Sequence, residues 1–185
     1  MTVPAQLTQL GFRSVAEFQR AWNLGPRLAA DGVFGPATSA AATLSVTRRK
    51  NRLGDLSAHF SAAEFACHCG GRLPGCHLTV VLRDLLQSLE VLRAHTGPVR
   101  IVSGYRCPAY NRKVVGASES QHMWGGAADI PAAHSHQTIT AMHVFAGVGW
   151  DASNGLVVHV DRRDVSGHDT TGGTVTAPTT WTYPR

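Results

Sequence analysis

No apolar run in the 185 residues approaches the ~18 that a membrane-spanning helix requires, which excludes membrane insertion through such a segment. The start, Met1-Thr2-Val3-Pro4-Ala5-Gln6, has neither the basic residues nor the apolar stretch of a secretory signal, so synthesis in a cytoplasm without a signal peptide is expected. Charge is scarce, at 16% of residues, yet its balance is basic: the formal net charge is +5 and the pI is near 9.4. Such a balance favours a polyanionic partner, whether nucleic acid, a membrane surface or an acidic wall polymer. The clearest basic run, Arg48 to Arg52, lacks the interleaved aromatics of a base-stacking surface and reads as a solvated linker, so no nucleic-acid partner is expected. With 43% hydrophobic residues the chain can bury one sizeable core and leave roughly 35 to 50 residues for a small accessory unit.

The first 47 residues read as that unit, followed by a basic linker over 48–58 and a main domain over 59–185. Val15, Phe18, Ala21 and Trp22 recur at helical spacing, and Ser14 with Glu17 forms a capping signal. Asp31-Gly32-Val33-Phe34-Gly35-Pro36 supplies a turn before an Ala-rich helix, which makes two short helices around a glycine turn. This pattern resembles the small all-α peptidoglycan-binding domain attached to many wall hydrolases, here shortened at its first helix; a helical cap on the core is the plainer alternative. In the main domain, Ser61 and Glu64 form a second capping box, and Leu82, Leu85, Leu86, Leu89 and Leu92 make one apolar stripe on a helix over 78–95. Gly97 and Pro98 stop that helix, and Val99 to Val102 reads as a strand leading to Ser103-Gly104-Tyr105-Arg106. A further helix is expected over 132–146, with Ile139, Met142 and Phe145 inward, then a hairpin from Gly147, then an irregular Thr- and Gly-rich tail from Asp164 to Trp181.

Two segments carry metal chemistry. Ser120-Gln121-His122 is followed by Gly125-Gly126 and a strand-like Ala127-Ala128-Asp129-Ile130, and Val157-Val158-His159-Val160-Asp161 is a buried-strand pattern with an imidazole inside it. A lone buried histidine needs a polar partner, and a metal supplies one. Two histidines and a carboxylate leave one position open on a tetrahedral zinc, the arrangement of a hydrolytic site. Ten histidines are present and each alone has a bland explanation; His134 and His136 have metal-like spacing but sit at a polar helix start where capping accounts for them.

The order Ser103-Gly104-Tyr105-Arg106-Cys107-Pro108-Ala109-Tyr110-Asn111, then Val115-Gly116-Ala117-x-x-Ser120-Gln121-His122-x-x-Gly125-x-Ala127-Ala128-Asp129, then Val158-His159-Val160-Asp161, resembles the zinc peptidases that cut peptidoglycan stem peptides. These are the D-Ala-D-Ala carboxypeptidases and the L-Ala-D-Glu endopeptidases of the hedgehog/DD-peptidase fold, and the likeness covers about residues 59 to 164. The resemblance implies an α+β fold with an antiparallel sheet and packed helices, Zn2+ as cofactor, and His122, Asp129 and His159 as its ligands. It implies that Arg106 contacts a substrate carboxylate or polarised carbonyl. Ser120 and Gln121, just before the first ligand, are expected to bind the substrate backbone or else only to shape the loop, and Tyr105, with Trp124 as the alternative, to line the cleft and bind substrate. Many relatives carry an acid three positions before the last zinc histidine; here that place is Leu156, which cannot move a proton. Asp161, two residues after His159 on the same strand face, is expected as proton acceptor, with Asp151 and then His143 behind it; Asp161 can instead orient His159.

The expected function is zinc-dependent hydrolysis of an amide bond in peptidoglycan, by a monomer acting at the bacterial wall, in the manner of a phage endolysin or, as an alternative source, a bacterial autolysin. The rivals are a catalytically silent zinc-containing wall-binding module, which Leu156 favours, and a metal-stabilised nucleic-acid binder. Cys67, Cys69, Cys76 and Cys107 suffice for two disulfides or one all-cysteine zinc site; the tight Cys-x-Cys spacing leans toward disulfides or simple structural roles, and no activated Cys/His pattern points to a nucleophile.

Overall fold

The computed structural model describes residues 2–163 and 178–183. Three helices open the chain: α1 (Ala5–Gln9), α2 (Val15–Ala21) and α3 (Pro36–Lys50). The expected pair of helices is therefore preceded by a short third one, whose Leu7 is fully buried. Ser14 caps α2 as its sequence requires, its hydroxyl accepting the Glu17 N–H at 3.1 Å. The glycine turn between α2 and α3 is tied down by a buried side chain that the apolar pattern does not reveal. Gln19 donates to Asp31 Oδ1 (2.9 Å), to the Val33 carbonyl (3.0 Å) and to Thr38 Oγ1 (3.1 Å), and its carbonyl accepts from Gly32 N–H (2.9 Å). Both ends of the amide are therefore satisfied, which is the condition for burying it.

The basic run differs from a solvated linker. Its first three residues form the last turn of α3, where cationic side chains complement the helix dipole. Arg49 pairs with the buried Asp55 at 2.6 Å and reaches the carbonyls of Gln9 (2.5 Å) and Leu10 (3.3 Å), while Arg48 donates to the Gly54 carbonyl at 2.5 Å. These arginines fasten α3 to the start of the chain and to the turn before Phe60. Apolar residues of the first 47 positions (Leu7, Leu10, Phe12, Phe18, Trp22) share one buried cluster with Leu56, Phe60, Phe65 and Leu85.

A 3-10 turn at Ala62–Phe65, closed by the Ser61/Glu64 capping box, leads to α4 (Arg83–Thr96). Leu85, Leu86, Leu89 and Leu92 on α4 are fully buried, as their stripe predicts. The helix begins five residues later than expected, because Leu78 takes a left-handed conformation (φ 63°) and the chain from there to Leu82 is irregular. The expected strand over 99–102 is not formed either; only Ser103 bridges a strand, through Asp129. Next come α5 (Pro108–Lys113), a 3-10 turn at Gln121–Trp124, and α6 (His136–Ala141), which is far shorter than 132–146 because Phe145 already belongs to the approach to a strand.

Among the described residues the sheet has four strands, β1 (Ala127–Asp129), β2 (Gly147–Asp151), β3 (Val157–Asp161) and β4 (Thr179–Tyr183), in the order β1-β3-β2-β4. β1 and β2 flank β3 antiparallel, but β4 runs parallel to β2, so the sheet is mixed where an antiparallel one was expected. β3 ends where β2 begins, with Asp161 opposite Gly147, and β4 enters beside the same residue, Thr179 opposite Gly147, so it runs parallel to β2. The tail expected to be irregular from Asp164 lies outside the described residues up to position 177. Among the described residues no helix is long and apolar enough to cross a membrane.

Candidate metal centre

Strand register brings two of the three candidate ligands together. Asp129 on β1 sits directly opposite His159 on β3, and opposed residues of an antiparallel pair carry their side chains on one face about 5 Å apart. His122 reaches the same point from the 3-10 turn beside β1. That turn ends at Gly125 in the left-handed region (φ 73°), and a Cβ there would lie 2.7 Å from the Val80 carbonyl carbon, so glycine is required on both counts. The chain then reverses, with Gly126 N–H donating to the Gln121 carbonyl at 3.0 Å, and enters β1.

His122 Nε2 lies 3.1 Å from Asp129 Oδ1 and 3.1 Å from His159 Nδ1, and His159 Nδ1 lies 2.9 Å from Asp129 Oδ1. Ligand atoms about 2.0 to 2.1 Å from a tetrahedral zinc stand about 3.3 Å apart, so this nearly equilateral triangle has the size that such an ion needs. The far side of each ring sets its tautomer. His122 Nδ1 faces the Gly104 carbonyl at 2.6 Å, and His159 Nε2 faces Asp161 Oδ2 at 3.1 Å. Both partners are acceptors, so both of these nitrogens carry the proton, and the lone pairs of His122 Nε2 and His159 Nδ1 converge on one point. Gly104 can present its carbonyl because it has no side chain; a Cβ would stand 2.5 Å from Phe65 Cα.

Burial and charge act together. Burial pushes the His122 imidazole down toward its neutral form, which is the form that binds metal. Burial also opposes charge on His159, but hydrogen bonds to Asp129 and Asp161 outweigh it and raise this ring. The Asp129 carboxyl, which desolvation alone would raise, is held well below the usual range by its bonds to His122 and His159. The three groups form one of two clusters among the described residues able to hold a metal ion.

Arg106 closes the second side of the carboxylate. Its guanidinium pairs with Asp129 Oδ2 and donates from Nε to Ser103 Oγ at 3.0 Å, while its backbone N–H reaches the His122 carbonyl at 3.0 Å. Arg106, Ser120, His122, Asp129, His159 and Tyr183 line one cleft of about 620 Å³.

A family model for Peptidase M15 matches residues 58–161. The chain belongs to this peptidase family. Its members are zinc-dependent metallopeptidases, and the match begins at the turn before Phe60 and ends on Asp161, so it spans all three candidate ligands and Arg106. No curated protein matches the chain.

Several other expected site residues are placed elsewhere in this M15 chain. Tyr105 points away from the cleft, because successive side chains of an extended segment alternate: Arg106 faces Asp129, and Tyr105 is buried against Cys67, Cys76 and Cys107. Trp124, half-exposed, lines a different cavity together with Tyr105 and His77. Gln121 is not among the cleft-lining residues, whereas Ser120 is. Asp161, expected as proton acceptor, stands behind His159 and is fully buried. Its carboxylate accepts from Arg163 at 2.7 and 3.0 Å, and although burial opposes it, His159 and Arg163 lower its pKa to about 2. Neither Asp151 nor His143 lines the cleft; the Asp151 carboxylate accepts from Ser153 N–H and Oγ, and His143 is exposed.

Sequence reasoning missed β4. Tyr183 enters the cleft wall, and Trp181 packs its ring 5.3 Å from His159 with the Arg163 guanidinium 4.6 Å above it. The alternating aromatics Trp181 and Tyr183 were the available signal for a strand.

Proposed function

We propose that the chain hydrolyses an amide bond in peptidoglycan stem peptides, with zinc held by His122, Asp129 and His159. The observation that carries this reading is the convergence of two fixed imidazole lone pairs and one carboxylate oxygen at the wall of an open cleft. When bound, zinc at such a site supplies an acidified water and a Lewis acid for the scissile carbonyl. The protein does the rest by position. The Gly104 carbonyl and Asp161 hold the two rings in their ligating tautomers, so Asp161 serves as the orienting partner of His159 and not as the proton acceptor. Arg106 fixes Asp129 and offers its remaining N–H donors to a substrate carboxylate or a carbonyl oxygen gaining charge. Burial raises the Tyr183 phenol, which keeps it protonated and a donor toward substrate. Apart from Asp129, no carboxylate lines the cleft among the described residues, which agrees with Leu156 standing where many relatives carry an acid.

The family supports peptidoglycan as the substrate class, and the net charge of +5 suits an acidic wall polymer. The hedgehog/DD-peptidase fold, a wall-binding role for the first 47 residues, action as a monomer and an endolysin's place at the bacterial wall complete the proposal. Arg48 and Arg49 of the basic run, engaged within the chain, lend no support to nucleic-acid binding.

Mass spectrometry of purified walls incubated with the zinc-loaded protein tests the reading and reports the bond cut. Shortened stem peptides, with the matching free peptide or D-alanine, are expected with zinc, none after chelation, and cleavage again on adding zinc back. Stem peptides left uncut after long incubation would point to a silent zinc-containing wall-binding module.

A further inference from the structure

Four buried cysteines from three separate places in the chain meet at one point, on the other side of Arg106 from the cleft. Cys67 and Cys69 follow the Ala62–Phe65 turn, Cys76 closes the glycine-rich loop after them, and Cys107 caps α5. All four are free thiols. Cys69 Sγ lies 3.3 Å from Cys76 Sγ, 3.5 Å from Cys67 Sγ and 3.9 Å from Cys107 Sγ, and all four sulfurs lie within 4.8 Å of one another. Two disulfides would divide these atoms into two pairs, each about 2.05 Å apart. Instead one sulfur is nearly equidistant from the other three, as at the corner of a tetrahedron. Sulfurs about 2.3 Å from a zinc ion stand about 3.8 Å apart, which is the scale seen here.

Backbone N–H groups of Cys107, Tyr110 and Leu78 donate to Cys67, Cys107 and Cys76 Sγ, each at 3.4 Å. Such donors would stabilise sulfur once it loses its proton, and four thiolates packed this closely in a buried place would need a cation among them. Closed, all-sulfur, tetrahedral coordination selects a soft-tolerant ion and leaves no open position for substrate.

We propose that Cys67, Cys69, Cys76 and Cys107 bind a second, structural zinc ion, separate from the His122/Asp129/His159 centre and independent of whether that centre is catalytic. On binding, the thiols release their protons to solvent and each sulfur donates an electron pair to the metal. The site is a clasp. Cys107 is the residue after Arg106, and the Tyr105 N–H donates to the Phe65 carbonyl at 2.9 Å, so the ion fixes the peptide that aims Arg106 into the cleft. The same loop holds the N-terminal helices: Leu78 bridges Phe12, and Arg13 donates to the Cys76 carbonyl at 2.8 Å.

Elemental analysis of the full-length His122→Ala/His159→Ala variant isolates this ion. It is expected to retain about one zinc per chain, and alkylation of the denatured, unreduced protein is expected to modify all four cysteines. Cobalt loading of the unmodified chain gives a reading that does not depend on the variant folding. Intense near-ultraviolet sulfur-to-cobalt charge transfer is expected, and it cannot arise from the histidine and aspartate ligands. A folded variant without zinc, an absence of that charge transfer, or cysteines resistant to alkylation because they are paired would overturn the proposal. No stem-peptide hydrolysis by the unmodified, zinc-loaded chain, with all three results intact, would count against the proposed function and leave this site standing.

Discussion

Replacing His159 with alanine is expected to remove zinc from the cleft and to slow stem-peptide cleavage by at least about a thousandfold, the scale of losing the group that activates water. His159 has 7% of its surface exposed, and it connects two carboxylates, Asp129 on the cleft side and Asp161 behind. Its loss leaves His122 and Asp129 as a two-ligand site, too few for a tight zinc centre. His122→Ala should match it, because each ligand completes the same triangle. Elemental analysis and a muropeptide assay on the same samples check the result, with circular dichroism confirming that the fold survives. A variant that keeps cleft zinc and full turnover would displace His159 from the ligand set.

Asp161→Asn separates two chemistries that one strand face allows. As the acceptor for His159 Nε2–H, Asp161 fixes ring tautomer and raises ligand basicity, and losing such a partner costs about 10- to 100-fold in metal affinity. Competition with a chromophoric chelator should show that weakening, while turnover at saturating zinc should fall less than about tenfold. A proton acceptor would behave in the opposite way, with zinc affinity unchanged and turnover abolished. Burial supports the first outcome: the carboxylate has no exposed surface, is engaged by Arg163 and faces away from the cleft.

Much of the centre was legible because its spacing is local. His122, Gly125 and Asp129 lie within eight consecutive residues, and the small residues between them announce a tight reversal into a strand. The cross-strand partnership of Asp129 with His159 depends on register, which periodicity alone does not give, yet both lie in short apolar strands whose burial was readable. The stripe on α4 was legible for the same reason, as an uninterrupted 3.6-residue repeat. What failed were features decided by long-range packing. Tyr105 is expected to line the cleft, but the alternation of an extended segment turns it toward the cysteine cluster. The stretch from Val99 to Val102 had strand composition and found a partner only at Ser103. β4 contributes Tyr183 from beyond a Thr- and Gly-rich stretch with no hydrophobic pattern to carry the eye across it, and its parallel pairing with β2 is a matter of topology. The basic run looked solvated because nothing in its sequence reveals that Asp55 is buried beneath Arg49.

The measurement that bears most directly on the metal centre is an anomalous difference map from zinc-soaked crystals, recorded on both sides of the zinc absorption edge. It should show a peak bonded to His122 Nε2, His159 Nδ1 and an Asp129 carboxylate oxygen at about 2.0 to 2.2 Å, with a fourth position open to the cleft. A cleft without a peak at saturating zinc, or zinc bound there through other residues, would contradict the account.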